Sequence, residues 1–131
     1  LIDPIIIEPI VMKCSTDCAV CCLKMLLGVD YTAVIAAIPK SAKVSKNGLT
    51  IRQMQRVGRR LGAELCYRHS LPEEDEIGII NMERPKEKDG HVAIYFNGSV
   101  YDPAPGVIYT ELAAYQLASG WNVVGFLWRE T

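Results

Sequence analysis

The chain has 131 residues, of which 50% are hydrophobic and 22% are charged, and its formal net charge is −1. This length predicts a single domain over residues 1–131 with a real hydrophobic core, and the composition excludes disordered and fibrous proteins. Because nucleic-acid-binding domains are usually strongly basic, the balanced charge argues against a nucleic-acid partner. No apolar run approaches the roughly 18–20 residues that cross a bilayer, so we expect no membrane span in this chain.

Cysteine usage indicates the redox setting. The chain has five cysteines, and four of them lie between residues 14 and 22. An odd number of cysteines, most of them in one segment and without a basic leader of the secretory type, does not fit a disulfide scaffold. A reduced, cytoplasmic chain with thiol or metal chemistry fits better.

The first half of the sequence predicts three helices, over residues 18–27, 31–38 and 50–61. The first of them is apolar at every position except Lys24, and Gly28 marks its end. Ser15, Thr16 and Asp17 are candidate N-caps for it. A helix that is hydrophobic on all sides belongs in the interior of a protein, so we expect residues 18–27 to form a central buried helix.

The second half changes from a helical period to strand-like patterns. The predicted strands cover residues 63–69, 77–82, 91–96, 99–102 and 121–128, with a short helix at 110–117. Residues 5–11 could be a further extended segment, which Pro9 restricts to a sheet edge. Helices followed by strands predict an α+β fold in which the buried helix packs on an antiparallel sheet.

Asn97-Gly98 stands between two of the predicted strands and is the strongest local signal in the chain. This dipeptide favours a type I′ hairpin turn, which pairs Phe96 with Ser99 and fixes the register of both strands. In that register His91 and Asp102 share one sheet face as diagonal neighbours, about 7–8 Å apart at the backbone. The hairpin therefore predicts a histidine oriented by a carboxylate.

Cys18 is the best candidate for a nucleophile that such a histidine could activate. It stands in the first turn of the predicted buried helix. Free backbone N–H groups and the positive end of the helix dipole stabilise a thiolate there. The same N–H groups could serve as oxyanion donors in acyl transfer.

Four motifs in sequence order carry a resemblance to a known family. They are Asp17-Cys18-Ala19 through Gly28, Asn47-Gly48-Leu49-Thr50, Gly90-His91-Val92-Ala93-Ile94, and Tyr101-Asp102-Pro103 through Gly106. Together with a late helix and Trp121, they resemble the papain-like double-glycine leader peptidases, the bacteriocin-processing peptidase domains of some ABC exporters. The resemblance covers roughly residues 12–128.

The resemblance implies a papain-like cysteine peptidase that acts on a peptide or protein substrate without a cofactor or metal. We expect it to hydrolyse a peptide or isopeptide bond through an acyl-enzyme intermediate. The resemblance also implies Cys18 as nucleophile, His91 as general base and Asp102 as the orienting carboxylate. The family usually has a glutamine six residues before the cysteine, and its amide helps form the oxyanion hole. This sequence has Met12 there, so we expect the oxyanion to be met by the Cys18 backbone N–H and by a second donor that the sequence does not identify.

Two other functions compete with the peptidase hypothesis. Cys14, Cys18, Cys21 and Cys22 offer four thiolates, although structural zinc usually takes two well-separated ligand pairs. The other alternative is a domain with the same fold that binds peptides without hydrolysing them. Met12 favours this alternative, and the intact Cys18, His91 and Asp102 oppose it.

Overall fold

The computed structural model describes residues 18–40, 48–84, 86, 89–104 and 106–130. Its four helices and six strands, in chain order, are α1 (Cys18–Leu27), α2 (Tyr31–Ala37), α3 (Ile51–Arg60), β1 (Leu65–Arg68), β2 (Ile77–Arg84), β3 (Asp89–Phe96), β4 (Ser99–Asp102), β5 (Val107–Tyr109), α4 (Leu112–Ser119) and β6 (Asn122–Arg129). This mixture of helices and one antiparallel sheet confirms the predicted α+β class.

Helix α1 is the buried helix that the sequence predicts. Eight of its ten residues are buried, and it packs on β3, α2 and α3. It ends at Gly28, whose φ of +67° is a conformation that glycine adopts without strain. The helix is apolar on all sides, so packing against several elements removes a larger nonpolar area from water than packing against one element would.

Helix α3 packs against α1, and a capping box fixes the residue at which it begins. The Thr50 side chain accepts a hydrogen bond from the Gln53 backbone N–H, and the Gln53 side chain accepts one from the Thr50 N–H. This capping box satisfies two backbone donors that a helix start leaves without intrahelical partners. Met54 and Val57 are buried beneath the helix, and its arginines lie exposed on the other side.

The six strands form one sheet in the order β1-β6-β2-β3-β4-β5. Neighbouring residues on each strand face opposite sides, so Ile79 lies in the core beneath α1–α3 whereas Ile80 lies in a second core with Tyr115 of α4. The sheet is therefore covered by helices on both faces. Within the described residues no single helix has the length and apolar character to cross a membrane; α1 and α2 pass that test only as a pair bent by 111°.

The β3–β4 hairpin has the predicted register. Phe96 pairs with Ser99, and Ile94 pairs with Tyr101. Asn97 and Gly98 form the turn with φ values of +48° and +88°, as a type I′ turn requires. The dipeptide therefore sets the alignment of the strands that carry His91 and Asp102.

Gly98→Val tests how strongly this turn supports the fold. A Cβ at Gly98 would meet only the Glu74 side chain, at 3.5 Å, so the penalty arises from the backbone conformation and not from a clash. We expect the free energy of unfolding, measured by urea denaturation, to fall by more than about 1 kcal/mol. Ser99→Val, one residue later in β4, is the matched control and should change stability little. Equal stability of the two variants would contradict the requirement for positive φ.

The structure also corrects several sequence predictions. A short strand, β5, was not predicted, because two of its three residues are exposed and the third is half-buried, which leaves no alternating pattern. The late helix begins at Leu112, two residues after its predicted start. Cys66 of β1 is half-buried and lies outside the core, and its thiol donates to a Glu130 carboxylate oxygen over 3.0 Å. Residues 5–11 lie outside the described residues.

Candidate active site

The candidate nucleophile, Cys18, is the first residue of α1 and lies in a cleft of about 140 Å³ between the helices and the sheet. The N–H groups of the first turn have no intrahelical partner, so the cysteine stands where a helix attracts negative charge. The cleft is lined by Cys18, Ala19, Gly48, Leu49, Thr50, Asn81, Gly90, His91 and Val92.

The structure brings the predicted histidine and carboxylate into direct contact. His91 Nε2 lies 2.7 Å from Asp102 Oδ1, and the two side chains are only 9% and 5% exposed. His91 also shares a side-chain hydrogen bond with Cys18. Since Nε2 is engaged by Asp102, Nδ1 is the nitrogen that remains for the Cys18 thiol. The three side chains thus form a continuous Cys18–His91–Asp102 chain.

The ionisation of His91 follows from these neighbours. Burial by itself would lower the pKa of His91, but its hydrogen bonds to Asp102 and Cys18 raise that pKa to about 9. The imidazole is therefore protonated at neutral pH. The imidazolium therefore places a positive charge beside Cys18 at the start of α1.

Asp102 is held as a carboxylate by three donors. Oδ1 is bonded to His91 and accepts from the Ala104 N–H at 2.9 Å, and Oδ2 accepts from the Tyr115 hydroxyl at 2.6 Å. Burial would raise the pKa of Asp102, but its hydrogen bonds, first that from His91, keep it below its ordinary value. The carboxylate is therefore charged and fixed in orientation.

Two aromatic residues belong to this site, although the sequence predicted a role in it for neither of them. Tyr115 of α4 is fully buried beneath Asp102, and burial followed by the Asp102 charge raises the pKa of its hydroxyl, so Tyr115 remains a donor. The Trp121 ring stacks on His91 with a centroid distance of 5.2 Å, and the Arg84 guanidinium lies 3.8 Å from the Trp121 centroid. Neither contact can be predicted from a local sequence pattern, because each joins residues from separate elements.

The remaining cysteines differ from Cys18 in their surroundings. Cys21 and Cys22 are completely buried in α1, and burial, followed by the charges of Cys18 and Asp102, raises the pKa of the Cys22 thiol. The hydrogen bond to Glu130 raises the pKa of Cys66. No group of three or more metal-ligating side chains occurs among the described residues. Met12 and Cys14 lie outside them, as do the candidate N-caps Ser15, Thr16 and Asp17.

Comparison with solved structures identifies the fold of this chain. The chain resembles the structure of a double-glycine motif protease from an AMS/PCAT transporter in complex with the leader peptide, with 20% identity, a TM-score of 0.68, and coverage of 97% of this chain and 94% of that one. The peptidase domain of Streptococcus ComA, a bifunctional ABC transporter of a quorum-sensing pathway, gives 16% identity, a TM-score of 0.65, and coverage of 93% and 96%. The peptidase domain of Streptococcus mutans ComA gives 14%, 0.58, and coverage of 95% and 99%. The fold is therefore the papain-like fold of these peptidase domains.

The sequence itself identifies the family. The family model described as the peptidase C39 family matches residues 8–73, which is half of the chain. The chain belongs to the peptidase C39 family, a family of cysteine peptidases. No curated protein sequence matches the chain.

Proposed function

We propose that this chain is an active cysteine peptidase in which Cys18 is the nucleophile, His91 the general acid and base, and Asp102 the carboxylate that orients His91. The observation that carries the proposal is the position of His91, hydrogen-bonded to Asp102 at 2.7 Å and to Cys18 at the start of α1. A nucleophile, a base and an orienting group in hydrogen-bond contact are the parts that covalent catalysis requires.

The reaction proceeds in two steps. The Cys18 thiolate attacks the carbonyl carbon of the scissile peptide bond, the C–N bond breaks, and the protonated His91 gives its proton to the departing amine nitrogen. A thioester acyl-enzyme remains. His91, now neutral, takes a proton from water, whose oxygen attacks the thioester carbon and breaks the C–S bond. The acid product leaves, and the thiolate–imidazolium pair is restored.

The oxyanion of each tetrahedral intermediate needs donors that are already in place. Cys18 is the first residue of α1, so its backbone N–H has no intrahelical acceptor and is available for this purpose. We assign this N–H as one oxyanion donor. Met12 lies six residues before Cys18, where the family resemblance implies a glutamine, and a thioether supplies no hydrogen to an oxyanion.

The substrate is proposed to be a peptide. One structural relative is a double-glycine motif protease in complex with a leader peptide. A fluorogenic peptide with two glycines on the acyl side of the scissile bond is therefore the first probe for this chain. Hydrolysis is followed by fluorescence, and the cleaved bond is located by mass spectrometry.

Limited alkylation tests the proposal independently of the substrate. At about pH 6, more than two units below the ~8.5 of a free thiol, brief treatment with iodoacetamide should label Cys18 almost exclusively. Cys21 and Cys22 are enclosed in the core, and Cys66, although accessible, is held as a thiol by its contact with Glu130. Peptide mapping of the alkylated protein measures the labelling of each cysteine.

The alternatives predict other labelling patterns. A zinc site protects several cysteines together and releases them together when a chelator is added. A domain that only binds peptides gives slow labelling led by the most exposed thiol. Reactivity of Cys18 no greater than that of Cys66 would overturn the proposed peptidase and leave the family and fold in place.

A further inference from the structure

Asn81 is a polar residue at an unusual position in the sheet. It lies in β2 between Ile80 and Met82, which are both fully buried. Its Cα partners are Val92 of β3 and Gly125 of β6, so it stands in the centre of the sheet and not at an edge. Asn81 also lines the cleft that contains Cys18 and His91. An amide in this apolar strand requires an explanation, because desolvating it costs free energy.

Tyr67 fixes the orientation of this amide. Asn81 Nδ2 donates to the Tyr67 hydroxyl over 3.1 Å. Tyr67 belongs to β1, and β6 lies between β1 and β2 in the sheet, so the tyrosine ring must extend across β6 to reach Asn81. The crossing takes place at Gly125, where a Cβ would lie only 1.8 Å from the Tyr67 hydroxyl oxygen. The absence of a side chain at Gly125 is therefore what admits the ring.

The contact with Tyr67 leaves most of the hydrogen-bonding capacity of Asn81 unused. An asparagine amide offers two N–H donors and an acceptor oxygen. Within the part of the chain that the structure describes, the only hydrogen bond of this side chain is the one to Tyr67. With respect to the described residues, a donor and an acceptor of Asn81 thus remain at the wall of a cleft that opens beside the nucleophile.

We propose that Asn81 is a substrate-binding residue whose amide hydrogen-bonds the main chain of a peptide in the Cys18 cleft, and that Tyr67 and Gly125 position it. A peptide unit carries one N–H and one C=O, which complement the free acceptor and donor of an asparagine. Recognition through the main chain needs no large substrate side chain, and the cleft of about 140 Å³ is small. This inference rests on the proposed peptidase function.

Asn81→Leu is the central test, because leucine has a similar volume and suits an apolar strand but makes no hydrogen bond. With the Gly-Gly fluorogenic peptide as probe, we expect KM to rise about fivefold or more and kcat to stay within about twofold, as for a contact made equally in the ground and transition states. The Kd of the same peptide, measured by fluorescence anisotropy with Cys18→Ala protein, should rise by the same factor when Asn81→Leu is added. Tyr67→Phe should also raise KM, but by a smaller factor.

Matched variants separate binding from folding. Asn122→Leu introduces the same change on the exposed end of β6 and should leave KM unaltered. If Asn81→Leu leaves the Tyr67 hydroxyl unsatisfied and lowers the melting temperature, the Asn81→Leu/Tyr67→Phe double variant removes both partners and restores a folded protein for the measurement.

The outcomes distinguish this inference from the proposed function. Unchanged KM and Kd in Asn81→Leu, with active wild-type enzyme, would overturn the inference alone. A fall in kcat at constant KM would also overturn it, since Asn81 would then act only in the transition state. If Cys18 of the wild-type protein were not alkylated selectively, the proposed peptidase function would be overturned instead. Alkylation of Cys18 should be equally fast in Asn81→Leu, because the amide binds substrate and not the thiol.

Discussion

His91→Ala is expected to reduce hydrolysis of the peptide probe by about 10⁴–10⁶-fold, the range found when one member of a catalytic triad is removed. Without the imidazole, no group accepts the thiol proton or returns it to the leaving amine. The same change should remove the selective alkylation of Cys18 at about pH 6, because the cation that favours the thiolate is gone. Steady-state hydrolysis and peptide mapping of the alkylated protein measure the two effects.

The control for His91→Ala is the same change at the other histidine of the chain, His69. His69 is exposed after β1, and its ring lies against Tyr67 and outside the Cys18 cleft. His69→Ala should therefore keep selective labelling and lower hydrolysis far less than His91→Ala does. Far-ultraviolet circular dichroism should show that both variants keep their secondary structure. If His91→Ala were folded and still labelled selectively at Cys18, the thiolate would depend on another group and the assigned role of His91 would be wrong.

Asp102→Asn is expected to lower kcat/KM by on the order of 10³–10⁴, an effect typical of the carboxylate of a triad. The asparagine oxygen can still accept from His91 and Ala104, while its amide can donate to the Tyr115 hydroxyl, so the fold should persist. The negative charge that stabilises the His91 imidazolium is lost, however. The activity loss should therefore be electrostatic and not a consequence of unfolding.

The pH dependence of kcat/KM tests whether Asp102 supports the charged form of His91. In the wild-type enzyme the alkaline limb of kcat/KM should lie near pH 9, where His91 loses its proton. Removing Asp102 lowers the folded-state pKa of His91, so the limb should move to lower pH in the variant. Asp75→Asn, on an exposed turn, should leave the limb unchanged. An unshifted limb in Asp102→Asn would mean that Asp102 does not support the charged histidine.

The sequence by itself determined those features that short-range chemistry controls. Asn97-Gly98 requires positive φ at both residues, and this requirement fixed the strand register and placed His91 on the same face as Asp102. The apolar run of α1 and its glycine stop predicted a buried helix with Cys18 at its start. These predictions depend on neighbouring residues, whose relative positions are set by local backbone geometry.

Other features appeared only when the elements were packed together. The contacts between Tyr115 and Asp102 and between Trp121 and His91 join segments whose relative placement depends on how α4 and β6 pack against the sheet. The position of Asn81 depends on the strand order β1-β6-β2, because only this order places Tyr67 across Gly125 from β2. Hydrophobic periodicity states which face of a strand is buried, but it carries no information about which strand lies beside it. The tertiary structure therefore decided what surrounds the triad and what the cleft presents to a substrate.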